Sequence, residues 1–215
     1  CYQPTWGRHK ARTWAQLGNH EYYTGTADPT FDYFGDRAGP RGKGYYSFDL
    51  GDWHIIVLND NRSFVPYKAG SEQEQWLLAD LAANTKQCTI AVWHEPYYYS
   101  SNTSTTRYTG IKVLVDHLYA AGVEILLTGH RHLYERFAPQ DPMANRDDAR
   151  GIREFIVGTG GRGYSTVSTI APNSEVRGIK VYGVLELTLH ADRYDWRFVS
   201  IAGQSFTDAG SGTCH

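Results

Sequence analysis

Asn19-His20-Glu21, His94 and Gly129-His130-Arg131-His132 place nitrogen and oxygen donors at three points where apolar segments break off. His94 follows the run Thr89 to Trp93, and His130 follows Val123 to Leu127. In open α/β sheets ligands bind beyond the carboxyl ends of the strands. Two histidines at one such edge, on strands joined by a single crossover helix, can converge on one ion, with His132 two residues on as a further contributor. The pattern points to a hydrolytic metal centre. The 18 residues from Cys1 to Gly18 contain no Asp or Glu, so no upstream carboxylate is available to complete a two-metal cluster.

The elements that must position these residues are legible in the hydrophobic periodicity. Tyr45 to Leu50 and Trp53 to Leu58, separated by Gly51-Asp52, read as a hairpin. Ser71 and Glu74 form a capping box, and Trp76, Leu77 and Leu81 recur at helical spacing, which predicts a helix to about Ala83. A strand at Thr89 to Trp93 follows, then a helix over Ile111 to Ala121 stopped by Gly122, then a strand at Val123 to Leu127. Glu154 to Val157, Val184 to Leu189 and Tyr194 to Ser200 read as strands with no helix between them. Together they imply one domain over residues 1–215, an α/β sandwich with mixed sheets, parallel early and antiparallel late. The long loops are 61–70, 96–110 and 138–151. Gly158-Thr159-Gly160-Gly161-Arg162-Gly163 reads as a site-lining loop; no clear helix follows it, and no acidic strand end comes about 20 residues later, as a dinucleotide loop would require.

Composition excludes several classes. A net charge of -2 gives no electrostatic footprint for nucleic acid or an anionic membrane. The longest apolar runs, such as Ile55 to Leu58, fall far short of the roughly 20 residues a spanning helix needs. Three cysteines, Cys1, Cys88 and Cys214, with no C-x-x-C, argue against a structural zinc knot and allow at most one internal disulfide. Sixteen Tyr, six Trp and one Met suit a secreted, extracellular protein. With no initiator Met and no leader pattern, the chain reads as a mature or truncated product. Asn61-Arg62-Ser63 and Asn102-Thr103-Ser104 match glycosylation acceptors.

Leu17-Gly18-Asn19-His20-Glu21, then Trp93-His94, then Gly129-His130-Arg131-His132-Leu133-Tyr134-Glu135-Arg136 resemble, in order, the GNH[DE], strand-end His and GHxHxYER motifs of the calcineurin-like metallophosphoesterases, with the closest likeness to purple acid phosphatases and secreted bacterial relatives. The resemblance implies that Asn19, His94 and His130 bind one divalent transition metal (Zn, Mn or Fe), that His132 belongs to a second, and that His20 is the acid beside the scissile bond. Arg136 and Tyr134 read as bracing the loop rather than touching substrate, since Arg forks clamp backbone carbonyls or carboxylates. The family's opening strand with its Asp motif and its GDxxY motif do not occur here, so the resemblance covers a fold whose N-terminal strands are missing. Glu95 is a candidate supporting acid, replacement ligand or base. Asp60 is another candidate replacement ligand, with a solvated turn acid as the preferred reading. Tyr97, Tyr98 and Arg131 are the substrate-binding candidates; for the run Tyr97 to Thr106, a substrate wall and an ordinary surface loop are equally compatible with the residues.

The function implied is hydrolysis of small phosphate mono- or diesters. Its rivals are a repurposed binding protein with a degenerate pocket, and hydrolysis of another ester with one metal or none. A homodimer contact or a partner chain is expected to cover the apolar sheet left open near Trp53 to Leu58, unless the aromatic and basic stretch Tyr2 to Trp14 folds back over it.

Overall fold

The computed structural model describes residues 2–215, so the expectation for Cys1 lies outside the described residues. A helical turn α1 (Tyr2–Thr5), α2 (Asp28–Phe34) and three short 3-10 segments precede the sheet. The strands are β1 (Tyr46–Leu50), β2 (Trp53–Val57), β3 (Cys88–Val92), β4 (Ile125–Thr128), β5 (Tyr134–Phe137), β6 (Arg153–Val157), β7 (Ser174–Gly178), β8 (Gly183–Leu189), β9 (Arg193–Ser200) and β10 (Ala209–Thr213). Helices α3 (Glu72–Ala83) and α4 (Lys112–Ala120) are the crossovers β2-α3-β3 and β3-α4-β4. Gly122, at φ 75, ends the second as its position predicts.

Seven strands form a mixed sheet in the order β1-β2-β3-β4-β6-β5-β7, parallel from β2 through β6 and antiparallel at both flanks. The antiparallel tail does not continue this sheet. It forms a second one, β10-β9-β8. Ile56, Leu77, Ala91, Leu114, Leu118 and Leu126 pack the helices onto one face, while Trp53, Ile55, Ile90, Ile125 and Phe155 meet Tyr194, Trp196 and Phe198 of the small sheet on the other. The molecule is therefore an α/β fold of three layers.

Ser71 caps α3 by accepting from the Glu74 N–H at 3.3 Å. The reciprocal arm of the expected capping box goes elsewhere: Glu74 accepts from the Gly70 N–H at 3.0 Å and pairs with His117 of α4 at 2.9 Å. Cys88 and Cys214 form a disulfide that joins β3 to the end of the chain across 126 residues. Closing so long a loop removes, on the chain-entropy account, on the order of 5 kcal/mol of unfolded-state freedom.

The exposure expected at Trp53 to Leu58 is not found. All five residues of β2 are buried, because β1 flanks it on one side, β3 on the other, and the two remaining layers cover its faces. The Tyr2 to Trp14 stretch does not lie over β2; Trp14 stacks on Phe48 of β1 at 4.0 Å between ring centroids. Among the described residues the edge strands of the two sheets are β1, β7, β8 and β10, and β8 pairs with β9 alone.

Glu124, 2 % exposed, accepts from the Thr89 N–H at 2.6 Å, and burial pushes its carboxyl up to about 7. The folded chain thus keeps a proton that the unfolded chain releases near pH 4.3, so stability falls as pH rises between those values. We predict that urea melts show a decline on the order of a few kcal/mol from pH 4.5 to 7.5, and that Glu124→Gln makes it shallower, leaving the part due to buried Asp60 and Glu154; an unchanged slope in the variant would remove Glu124 as a source.

Candidate metal centre

The β3–β4 ladder continues past both strand ends, through the Trp93 N–H to Leu127 O at 3.2 Å and the Gly129 N–H to His94 O at 2.9 Å. That continuation brings His94 and His130 to the same sheet edge. His130 occupies a left-handed turn at φ 58, sparse for a residue with a side chain and found where the surroundings enforce it. Its Nδ1 lies 3.1 Å from His94 Nε2, and the same Nε2 lies 2.8 Å from Asn19 Oδ1.

Asn19 reaches this point because the Leu17 to Glu21 turn is pinned. Glu21 accepts from the Gly18 N–H at 2.8 Å. A Cβ at Gly18 would stand 2.8 Å from His94 Nδ1 and 3.1 Å from Glu21 Oε2, so only glycine lets the turn pass so close to the imidazole. Gly158 has the same necessity on the opposite wall, where a Cβ would meet Arg131 O at 1.8 Å.

A cavity of about 500 Å³ opens on the cluster, lined by Asn19, His20, His94, His130, His132 and Arg162 together with Gly129, Val157, Gly158 and Gly160. His20 is exposed at its mouth, its ring 4.5 Å from that of Tyr23. The His132 N–H donates to Ser165 Oγ at 2.8 Å, fixing its backbone to the loop after β6. Burial, reinforced by the neighbouring imidazoles, lowers the His94 pKa to about 4, and burial with Arg131 lowers that of His130. Both shifts favour the neutral ring, the form that ligates.

Two donors each about 2.1 Å from a tetrahedral or octahedral ion stand roughly 3.0 to 3.4 Å apart. The contacts at 2.8 and 3.1 Å are close to that spacing, so His94 can share an ion with Asn19 and with His130. Among the described residues no three His, Cys, Asp or Glu side chains form a metal-holding group. The convergent set is two imidazoles and one amide, with His132 on the same wall.

The other predicted site residues go elsewhere. Tyr97 and Tyr98 are core, 0 % and 2 % exposed, with hydroxyls donating to Pro142 O at 2.8 Å and Asp141 O at 2.6 Å. Of the two readings of this run, substrate wall and surface loop, these tyrosines follow neither: they fill the layer under the helices. Arg131 lays its guanidinium over the Tyr99 ring at 4.1 Å and does not line the cavity. Glu95 is absent from the lining too; burial raises its pKa while Arg131 and Arg62 pull it down. Asp60 is no solvated turn acid: 8 % exposed, it accepts from the N–H groups of His94 at 3.2 Å and Glu95 at 2.6 Å, and burial raises it to about 6. Tyr134 and Arg136 do brace the structure, both bonding Asp208 at 2.7 Å and so tying β5 to the small sheet.

Sequence reasoning missed Arg162, although the glycines around it marked the loop as site-lining, and it missed Asn59 and Asn61. Asn59 donates to Tyr22 Oη at 2.6 Å and Asn61 to Leu17 O at 3.3 Å, which holds the Asn19 turn in place.

The family model for calcineurin-like phosphoesterases matches residues 2–134, and the chain belongs to that family. Among curated relatives, purple acid phosphatase 15 of Arabidopsis thaliana is 29% identical over 181 residues, covering 74% of this chain and 33% of that protein. Purple acid phosphatase 21 of the same plant is 36% identical over 124 residues, 54% of this chain and 26% of its own length. The chain thus spans a third or less of these relatives. Purple acid phosphatase PPD1 from yellow lupin (Lupinus luteus) seeds superposes with a TM-score of 0.74 over 93% of this chain and 38% of that one, at 20% identity, and shares the fold.

The tight approach at Gly18 gives a direct test. Gly18→Ala should push His94 off Asn19 and weaken zinc binding by tenfold or more, read by competition with a chromophoric chelator, while far-UV circular dichroism stays unchanged. Equal affinity in the two proteins would show that the 2.8 Å approach does not position His94.

Proposed function

We propose that the chain carries the histidine half of a metal-dependent phosphoesterase site that hydrolyses small phosphate mono- or diesters. The observation that supports this most is the approach of Asn19 Oδ1 and His130 Nδ1 to His94 Nε2 in a cavity also lined by His20 and His132. Asn19, His94 and His130 hold one ion, and His132 contributes to a second; zinc, manganese and iron all suit imidazole and amide donors. When bound, such ions lower the pKa of water and polarise a phosphoryl oxygen. His20, at the exposed mouth, donates a proton to the departing oxygen of the ester. Gly129, Gly158 and Gly160 keep side chains out of the space a phosphoryl group needs.

Among the described residues no Asp or Glu lines the cavity. Neutral donors leave a divalent charge uncompensated, so a second metal would take acid ligands from outside this cavity wall, as a partner chain could supply. The open edge of β8 supports this placement. A second cavity of about 380 Å³ runs beside β8, lined by Val184, Leu185, Leu187, Val92, Leu127 and Val157, and it shares His94 with the first. The same lack of acids favours, as the second reading, a protein that binds its ligand without turning it over. We also propose an extracellular location, supported by the Cys88–Cys214 disulfide, since such bridges persist in oxidising compartments. No helix among the described residues is long and apolar enough to cross a membrane.

With manganese, zinc or iron added, wild type is expected to hydrolyse an aryl phosphate, and His20→Ala to lose about 10²-fold or more in kcat, the usual scale for a lost general acid. Equal rates in both proteins would take His20 out of the mechanism. No turnover by wild type under any metal would favour the binding reading.

A further inference from the structure

We propose that Arg162 is the cation that binds the anionic oxygens of the phosphate group in this cavity, an inference that rests on reading the site as one for phosphoesters. Two cations stand near the cluster, Arg131 and Arg162. Arg131 is committed to the face of Tyr99, and its buried Nε finds no acceptor. Arg162 lines the cavity and is exposed. Among the described residues it has neither an ion-pair partner nor a hydrogen-bond partner, whereas the arginines at 41, 136, 146, 153 and 197 are all paired with carboxylates.

The loop that carries Arg162 is held at both ends and free between them. Thr159 Oγ1 donates to Gly183 O at 2.8 Å, tying its start to β8. At its far end the Ser165 N–H donates to His132 O at 3.1 Å, Ser165 Oγ accepts from the His132 N–H, and Tyr164 stacks on Tyr182 at 4.8 Å. Between the anchors stand Gly160, Gly161 and Gly163, none with a neighbouring atom within 4 Å of an added Cβ, and Gly161 has φ 117. The loop thus delivers a planar five-donor guanidinium to the wall that holds His132, over a cavity with no competing carboxylate. Such a fork matches two phosphate oxygens at once, while a lysine offers only a point charge. A phosphate monoester dianion gains more from it than a diester monoanion, so Arg162 also biases the site toward monoesters.

The test is calorimetric titration of inorganic phosphate into the full chain, with and without manganese, for wild type, Arg162→Gln and Arg162→Lys. Arg162 makes no contact that folding needs, so both variants are expected to keep the wild-type melting temperature. Arg162→Gln should weaken phosphate binding about 10- to 100-fold, the scale of hydrogen bonds to a charged group, and Arg162→Lys should recover part of the loss. Phosphate affinity that is equal in wild type and Arg162→Gln would overturn the proposal, as would a wild type that binds no phosphate. Wild type that binds phosphate through Arg162 yet hydrolyses no ester would leave the anion site standing and remove the hydrolase reading instead. Where turnover is measurable, Arg162→Gln is expected to raise KM for a phosphate monoester more than for a diester.

Discussion

The buried carboxylate of Asp60 anchors the turn that carries His94. It sits just past the end of β2, accepting from the N–H groups of His94 and Glu95, while Asn59 and Asn61 on either side grip Tyr22, Lys43 and the Leu17 carbonyl. Gln73 of α3 in turn bonds both the N–H and the C=O of Asn59. Three consecutive polar residues therefore join the Asn19 turn, the His94 turn and the first crossover helix. Burying an acid is costly unless donors meet it, and Asp60 is met by two backbone donors that the end of a strand would otherwise leave without partners.

A second buried acid does the same from the other side. Glu154 of β6, 0 % exposed, accepts from the N–H groups of Tyr97 and Tyr98 and from Thr128 Oγ1, so it spans the loop after His94 and the last residue of β4 before Gly129-His130. Glu135 of β5 extends the arrangement by accepting from the Ser100 N–H. With both turns fixed by carboxylates behind the sheet edge, none is left to face the cavity. The donor atoms are in place and the charge that would balance a divalent ion is not. Beside the same sheet edge, an apolar cavity along β8 also touches His94.

Local patterns determined much of this protein. The hairpin β1–β2, the helices α3 and α4, strands β3, β4, β6, β8 and β9, and the positions of Asn19, His94 and His130 at strand ends or turns were readable, because periodicity and turn residues act over a few neighbours. Strands β5, β7 and β10 were not. Tyr134 to Phe137 is buried on both faces and shows no alternation, and Ala209 to Thr213 is glycine- and serine-rich, becoming a strand only by pairing with β9. Only the tertiary structure decided that the tail forms its own sheet, that Tyr97 and Tyr98 turn inward, that Arg131 leaves the site for Tyr99 and that Arg162 remains on the cavity wall. Each of these depends on which distant surface a side chain meets, and sequence spacing carries no information about that meeting.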